Sequence, residues 1–319
     1  MNFLNILSDI EQVDPEVYDR LDSRRQVFKH LGGVGKKLTA AALPLFVGAV
    51  FNKAYAQTPA GVAVNDVLNF ALKLEYLEMY FYQQRTVLSG ISSNNMIALD
   101  KIAADEAKHV AFLRSVLGTN AIADPGAAQF DYSGGRGTNN GPFANWRTDA
   151  GTYLSLAQAF EDTGVRAYKG AAPLASVMAN KTVLTAALNI HSVEARHASH
   201  IRAMRRAGPN NNIPSQGTAA APYGAAPKSW ISGVDNGGPV PAYTSPVYGA
   251  GNSSGLATGI TFPAEDSVSQ GGLTLSATTL PNTSGFPASA YSEAFDEGLD
   301  VTTVSAIARG FTIATSTLF

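Results

Sequence analysis

A chain of 319 residues, 45% of them hydrophobic, is long enough to bury one large core or two smaller ones. Its formal net charge of -2 gives no electrostatic footprint for nucleic acid. The absence of cysteine excludes disulfides, thiolate metal sites, thiol catalysis and a lipid-modified cysteine anchor, so any metal has to be held by oxygen and nitrogen.

Residues 1–56 read as an export label. Ser23-Arg24-Arg25-Gln26-Val27-Phe28-Lys29 precedes a mostly apolar run, Leu38 to Phe51, and then Ala54-Tyr55-Ala56. The run contains Pro44 and Gly48 and is shorter than the ~20 residues a spanning helix needs, so no stable membrane span is expected. The segment resembles a twin-arginine signal, which implies cleavage after Ala56, the twin-arginine translocase as a transient partner, and a mature protein in the periplasm or cell envelope. An acidic stretch from Asp9 to Asp22 ahead of the arginines is long for a leader, and retention of the segment is the alternative.

Residues 57–208 carry four helix patterns. From Val64 to about Val87 there is no glycine or proline, and the core stripe runs Leu68, Leu72, Glu75, Met79, Tyr82. Glu75 sits mid-stripe, where an ionised carboxylate demands a cationic partner. Glu78, toward the edge of the stripe, reads as solvated or as a neighbour of the site rather than a ligand. The second helix, about Met96 to Leu117, places Ile102, Glu106, His109, Leu113 and Val116 inward; Asp105 is positioned to accept a hydrogen bond from a histidine of another helix, or to be solvated. The long link Gly118 to Trp146 lets a third helix start at the far end of the bundle and run parallel to the second. That third helix, about Thr148 to Lys169, lines up Leu154, Gln158, Glu161, Val165 and Tyr168. After a break at Gly170 to Pro173 the fourth, about Leu174 to Ala207, lines up Val183, Ala187, Ile190, Glu194, His197 and Ile201.

The four helices form two similar halves, Glu75 with Glu106-Ala-Lys-His109 and Glu161 with Glu194-Ala-Arg-His197. Residues three apart share a helix face, so each Glu-x-x-His unit aims a carboxylate and an imidazole the same way. Glu75 to Glu106 is 31 residues and Glu161 to Glu194 is 33, and a tyrosine, Tyr82 or Tyr168, follows each lone glutamate seven residues on. Four of the five glutamates in the region occupy these positions. This is the donor set of carboxylate-bridged dimetal bundles, and it predicts a metal centre. His191 reads as a hydrogen-bonded packing residue, His200 as solvated or under the tail, and His30 as part of the export segment.

Residues 64–207 resemble the ferritin-like superfamily. Leu74-Glu75-Tyr76-Leu77-Glu78 and Ala159-Phe160-Glu161-Asp162-Thr163-Gly164 are similar to its exported bacterial branch, related to plant desiccation-related proteins. The resemblance implies an all-α core, a ferritin-like four-helix bundle with a long crossover between helices two and three. It implies Glu75 and Glu161 as terminal metal ligands, Glu106 and Glu194 as bridges, His109 and His197 completing the coordination, and Tyr82 and Tyr168 beside the site. Asp105 precedes Glu106 but Val193 precedes Glu194, so the two metal positions are expected to differ in affinity.

Residues 209–319 form a Gly/Pro/Ser/Thr-rich extension of low charge. Tyr223, Trp230, Tyr243, Tyr248, Phe262, Phe286 and Tyr291 suit an extended, largely irregular segment pinned at intervals, with a strand candidate at Gly272-Leu273-Thr274-Leu275-Ser276 and a short helix between an Asp300 cap and a Gly310 stop. A structural cover is expected, which argues against a hollow cage and leaves a smaller homo-oligomer open. Taken together, the expectation is an exported stress-response protein with two iron ions, manganese or zinc being alternatives. Its substrate would be O2 or H2O2, in a ferroxidase or peroxide-scavenging reaction. The competing readings are a manganese catalase-like enzyme and a non-catalytic protective protein in which metal only stabilises the bundle.

Overall fold

The computed structural model describes residues 62–86, 88–207, 228–231, 241–254, 260–280 and 285–319. The export-type segment 1–56, with His30 and the cleavage site after Ala56, and Tyr223 of the tail lie outside the described residues. Two compact units are present, one containing Asp266–Phe295 and the other comprising Gln57–Glu265 with Asp296–Phe319.

Helix α1 spans Val64–Gln83, α2 Ser93–Leu117, α3 Ala150–Ala171 and α4 Lys181–Ala207, with a single turn at Ala175–Ala179 ahead of α4. Short polar side chains set three of the starts. Ser92 Oγ accepts from Asn95 N at 3.3 Å, Asp149 Oδ2 from Thr152 N at 2.7 Å, and Asn180 Oδ1 from Val183 N at 3.1 Å. Asn180 therefore splits the expected fourth helix in two. The first helix stops at Gln83 rather than Val87, and beyond it Thr86 Oγ1 donates to Arg147 O at 2.5 Å.

The first half of α1, the end of α2, the end of α3 and the start of α4 meet around one pocket, so α2 and α3 run parallel and α1 and α4 run against them. This is the arrangement expected from the long crossover. The crossover itself is packed. Tyr132, Trp146, Tyr153 and Phe160 surround the Phe81 ring with centroids at 5.2, 5.4, 4.7 and 5.0 Å, and Tyr132 donates to Leu77 O at 2.6 Å. The chain terminus closes over it: Asp131 N donates to Phe311 O at 2.8 Å and Ile313 N to Gln129 O at 3.0 Å.

One inward assignment on α2 fails. Val116 is 46% exposed, and Leu117, four residues after Leu113, fills the core position instead.

Helix α3 is buried on nearly all sides, because the tail covers the face turned away from the other helices. Fully buried Arg166 donates to the carbonyls of Val247 at 2.6 Å, Gly249 at 2.8 Å, Pro263 at 2.8 Å, Glu297 at 3.0 Å and Gly298 at 3.2 Å, and pairs with Glu265 at 2.7 Å. Irregular backbone has no ladder partners, and one guanidinium supplies them here. Arg202 pairs with Asp162 at 2.5 Å, and Tyr248, at the end of helix α5 (Pro241–Tyr248), donates to Asp162 at 2.7 Å. Tyr248 and Phe262 are thus buried, as a pinned tail requires, while Tyr243 is 55% exposed.

The last helix, α6 (Val301–Arg309), starts where Asp300 Oδ1 accepts from Thr302 N at 2.9 Å and Thr303 N at 3.0 Å. The Asp266–Phe295 unit holds a hairpin, β1 (Ser269–Gln270) against β2 (Leu273–Thr274), turned by Gly271 and Gly272 at φ 58° and 83°. The strand is thus shorter than the five-residue stretch expected. No helix among the described residues is long and apolar enough to cross a membrane.

Candidate metal centre

Glu75 on α1, Glu106 and His109 on α2, Glu161 on α3 and Glu194 and His197 on α4 converge in the middle of the bundle, all four carboxylates at 0% exposure. His109 Nδ1 lies 3.1 Å from Glu75 Oε2, 3.1 Å from Glu106 Oε2 and 3.4 Å from Glu194 Oε1. His197 Nδ1 lies 2.9 Å from Glu106 Oε1 and 3.2 Å from Glu161 Oε2. In both histidines it is Nδ1 that faces the carboxylates.

Two overlapping donor groups result: Glu75, Glu106, His109 and Glu194, and Glu106, Glu161, Glu194 and His197. Within each, one ligand atom per residue lies within 4.8 Å of every other. Glu106 and Glu194 belong to both. Buried Glu106 Oε1, Glu161 Oε2, both oxygens of Glu194 and His197 Nδ1 have no hydrogen-bond partner. Native cores leave few such atoms unsatisfied, and five around one point fit a cation that they would coordinate. The cluster could hold metal, and its all-oxygen-and-nitrogen donors suit iron, manganese or zinc.

The electrostatics point the same way. Burial pushes Glu106 up to about 7, with Glu194 adding to the rise and the two histidines opposing it, and pushes Glu194 up to about 8. Glu161 is raised, also by burial. For His197 burial acts downward, but the Glu161 charge and the close Glu106 and Glu161 carboxylates outweigh it and raise the imidazole to about 11. His109 is raised by Glu106, Glu194 and Glu75 against the same burial effect.

Without cations the cluster therefore retains protons that a metal has to displace, so affinity for divalent metal should rise with pH between about 6 and 8. The stability trend runs oppositely. Folded values of about 7 and 8 lie above the ordinary 4.5, so this contribution is present below pH 4.5 and is lost as pH rises through 7 and 8. Thermal melts of the metal-free chain should fall across that window while metal-loaded melts hold; parallel curves would contradict this.

The two tyrosines cross between halves. Tyr82, seven residues after Glu75, donates to Glu161, and Tyr168, seven after Glu161, donates to Glu75. Burial raises both phenols well above their ordinary range, so each keeps its proton.

Asp105 reaches toward the outer nitrogen of His197 as the sequence suggested, but at 3.6 Å it is beyond hydrogen-bond length. Lys101 and Lys108 also hold it. Asp105, His197 and His200 line a polar mouth between α2 and α4, together with Lys101 and Arg196. His191 Nδ1 is 2.9 Å from Val165 O, the packing role expected of it.

Two further residues belong to the site. Glu78, expected to be solvated or a neighbour of the site, is 4% exposed, and burial raises its carboxyl well above the usual range, with Glu194, Glu106, Glu161 and Glu75 adding to the effect. It is a buried neighbour of the cluster and not a solvated residue. A Cβ on Gly164 would stand 2.9 Å from Glu194 Oε2, so this helical glycine makes room for the shared carboxylate. Alanine there should favour the helix by up to ~1 kcal/mol. Gly164→Ala is accordingly expected to keep or gain thermal stability without metal, yet to bind metal about tenfold more weakly or worse. Unchanged affinity in a calorimetric titration would show that Glu194 needs no such space.

Residues 63–207 match the family model of the Ferritin-like domain. No curated protein and no solved structure gave a match. The matched segment begins one residue before α1 and ends with α4, enclosing all six converging residues. Residues 63–207, with their parallel α2 and α3 and their central carboxylate–histidine cluster, are a ferritin-like domain.

Proposed function

We propose that this chain is an exported di-iron carboxylate protein that reduces O2 or H2O2, in a ferroxidase or peroxide-scavenging reaction. The observation that carries the reading is the pair of four-donor groups sharing Glu106 and Glu194, with unsatisfied oxygens turned between them. Two ferrous ions held there would supply two electrons, which with two protons convert O2 to H2O2, or H2O2 to two waters.

The protein's part is to assemble and insulate. Glu75 and His109 would hold one ion, Glu161 and His197 the other, and Glu106 and Glu194 both. Six ligand side chains, four of them carboxylates, offset the rising positive charge during oxidation. Tyr82 holds its hydroxyl proton on Glu161 Oε1 and Tyr168 its own on Glu75 Oε1, fixing the oxygens that face away from the centre. Buried Leu72, Ile102 and Ile201 belong to the apolar core of the same helices, which keeps bulk water out. The mouth at Asp105, His197 and His200 is a polar opening beside the cluster. Among the described residues His197, and not His109, faces an outer carboxylate, so its ion should bind more tightly.

Arg24-Arg25, the apolar run to Phe51 and Ala54-Tyr55-Ala56 support export by the twin-arginine route, which carries folded proteins and would allow metal loading beforehand. Mass spectrometry of envelope-fraction protein should find an N-terminus at Gln57; cytoplasmic full-length chain alone would contradict export.

Anaerobic ferrous loading followed by absorption spectroscopy on adding O2 or H2O2 tests the chemistry. Ferric absorption growing to two irons per chain is the expected result. Dioxygen release from H2O2 by a stoichiometrically manganese-loaded chain would favour the catalase-like reading. Metal-dependent melting without turnover would leave a structural role.

A further inference from the structure

We infer that a second, apolar pocket on the Tyr168 side of the cluster is a holding site and entry route for dioxygen, separate from the polar mouth at His197. It lies where all four bundle helices meet, and its walls include Leu74, Leu113, Tyr168, Val183, Ala187 and Ile190. Among the described residues every lining side chain is hydrocarbon or aromatic, and the Tyr168 hydroxyl is the sole side-chain polar atom. Its cavity volume is about 40 Å³, and Phe112, which also lines it, is 41% exposed.

Its inner end lies one side chain from the candidate centre. Leu74 immediately precedes Glu75 on α1, and the Tyr168 hydroxyl donates to Glu75 Oε1. One phenol therefore stands between the pocket and a carboxylate of the first donor group.

The chemistry of the walls selects the occupant. Water, metal ions and H2O2 would each give up hydrogen bonds or hydration on entering, at a cost of several kcal/mol, with one hydroxyl to offset it. Enclosed apolar cavities stay dry and take up uncharged gases, and the walls here are of the same apolar character. Dioxygen has no hydrogen-bond donor and is a weak acceptor, so it loses little on leaving water. The polar mouth has the opposite character, with Lys101, Asp105, Arg196, His197 and His200 around it. Peroxide would thus arrive on the His197 side and dioxygen on the Tyr168 side. This division rests on the reading of the cluster as an oxidant-reducing centre and narrows it to dioxygen as a substrate with its own path.

Xenon, an apolar atom visible by anomalous scattering, reports the pocket without metal or turnover. Crystals of the full chain under xenon pressure should show a site among Leu74, Val183 and Ala187. Ala187→Phe, at a half-buried wall position, should abolish that site, and Ala186→Leu should weaken it. Leu188→Phe, on the exposed neighbouring position, should leave it intact. In the iron-loaded chain Ala187→Phe should slow oxidation by O2 about tenfold while oxidation by H2O2 and iron content stay unchanged.

Wild-type crystals lacking xenon there, an unchanged O2 rate in Ala187→Phe, or equal slowing with both oxidants would each overturn the assignment. So would an acyl chain found seated in the pocket of native protein. A chain that binds iron but reacts with neither oxidant would take down the proposed function and this inference with it, whereas absent xenon in a reactive chain would take down the inference alone.

Discussion

Replacing Glu106 by glutamine is expected to abolish tight binding of both metal ions at once. Glu106 belongs to both donor groups, and Oε1 faces His197 while Oε2 faces His109, so one substitution removes an oxygen charge from each. Loss of an outer hydrogen-bond partner of a metal ligand weakens affinity by roughly 10–100-fold, and loss of a shared ligand should exceed that for each ion. The metal-free chain should respond differently. A neutral amide is easier to bury than a carboxylate that burial has pushed up to about 7, so the apo variant should melt no lower than wild type near pH 8. Metal at a thousandfold excess over its dissociation constant adds about 4 kcal/mol per site, and that increment should vanish. Glu75→Gln makes the comparison specific. Glu75 belongs to one group only, so its variant should keep the ion held with His197. Elemental analysis of dialysed protein and paired melts read both effects. Full metal content in Glu106→Gln would mean that the shared carboxylate is not a ligand.

Replacing Arg166 by methionine is expected to cost about 3–5 kcal/mol of stability, because five buried tail carbonyls lose their donor together. In a chain of this size that is a drop of roughly 10 °C in melting temperature. Methionine is of similar length, so little of the loss would come from a cavity. Glu265 is pushed up to about 8 by burial in spite of the Arg166 charge beside it, which means that desolvation outweighs the ion pair. The value of Arg166 lies instead in satisfying Val247, Gly249, Pro263, Glu297 and Gly298, carbonyls of an otherwise irregular segment. Arg166→Met with Glu265→Gln should recover little of the loss, since Glu265, already pushed up to about 8, takes up a proton once Arg166 is gone. A melting change within a degree or two for Arg166→Met would show that the tail is held by other contacts.

Both predictions concern residues of quite different legibility. Glu106 could be read from the chain, because a helix repeats every 3.6 residues and places Glu-x-x-His on one face. A second copy at matched spacing then makes the four-helix, six-residue pattern visible in one dimension. Arg166 could not be read that way. Its partners are carbonyls 81 to 132 residues further along, and backbone carbonyls carry no sequence signal.

Gly164 was visible only as part of a resemblance, since its use depends on Glu194 of another helix. The same holds for the tyrosines. Their spacing of seven residues correctly put Tyr82 and Tyr168 on inner faces, but period alone could not say that each bonds to the glutamate of the opposite half. Glu78 looked peripheral on the α1 stripe because a helical wheel has no knowledge of what packs on its flank, and it is buried. Asn180 is a local cap signal that could have marked the break before α4. The tail's pinning aromatics were legible as a type, and the structure selects Tyr248 and Phe262 as buried and Tyr243 as exposed.

The most direct test of the two-ion centre is anomalous diffraction at the iron edge from crystals of the full chain loaded anaerobically with ferrous iron. The expected map has two iron peaks per chain, one between Glu75 and His109, one between Glu161 and His197, and both in contact with Glu106 and Glu194. Iron confined to surface carboxylates, or a map with no peak among these six residues at saturating ferrous ion, would contradict it.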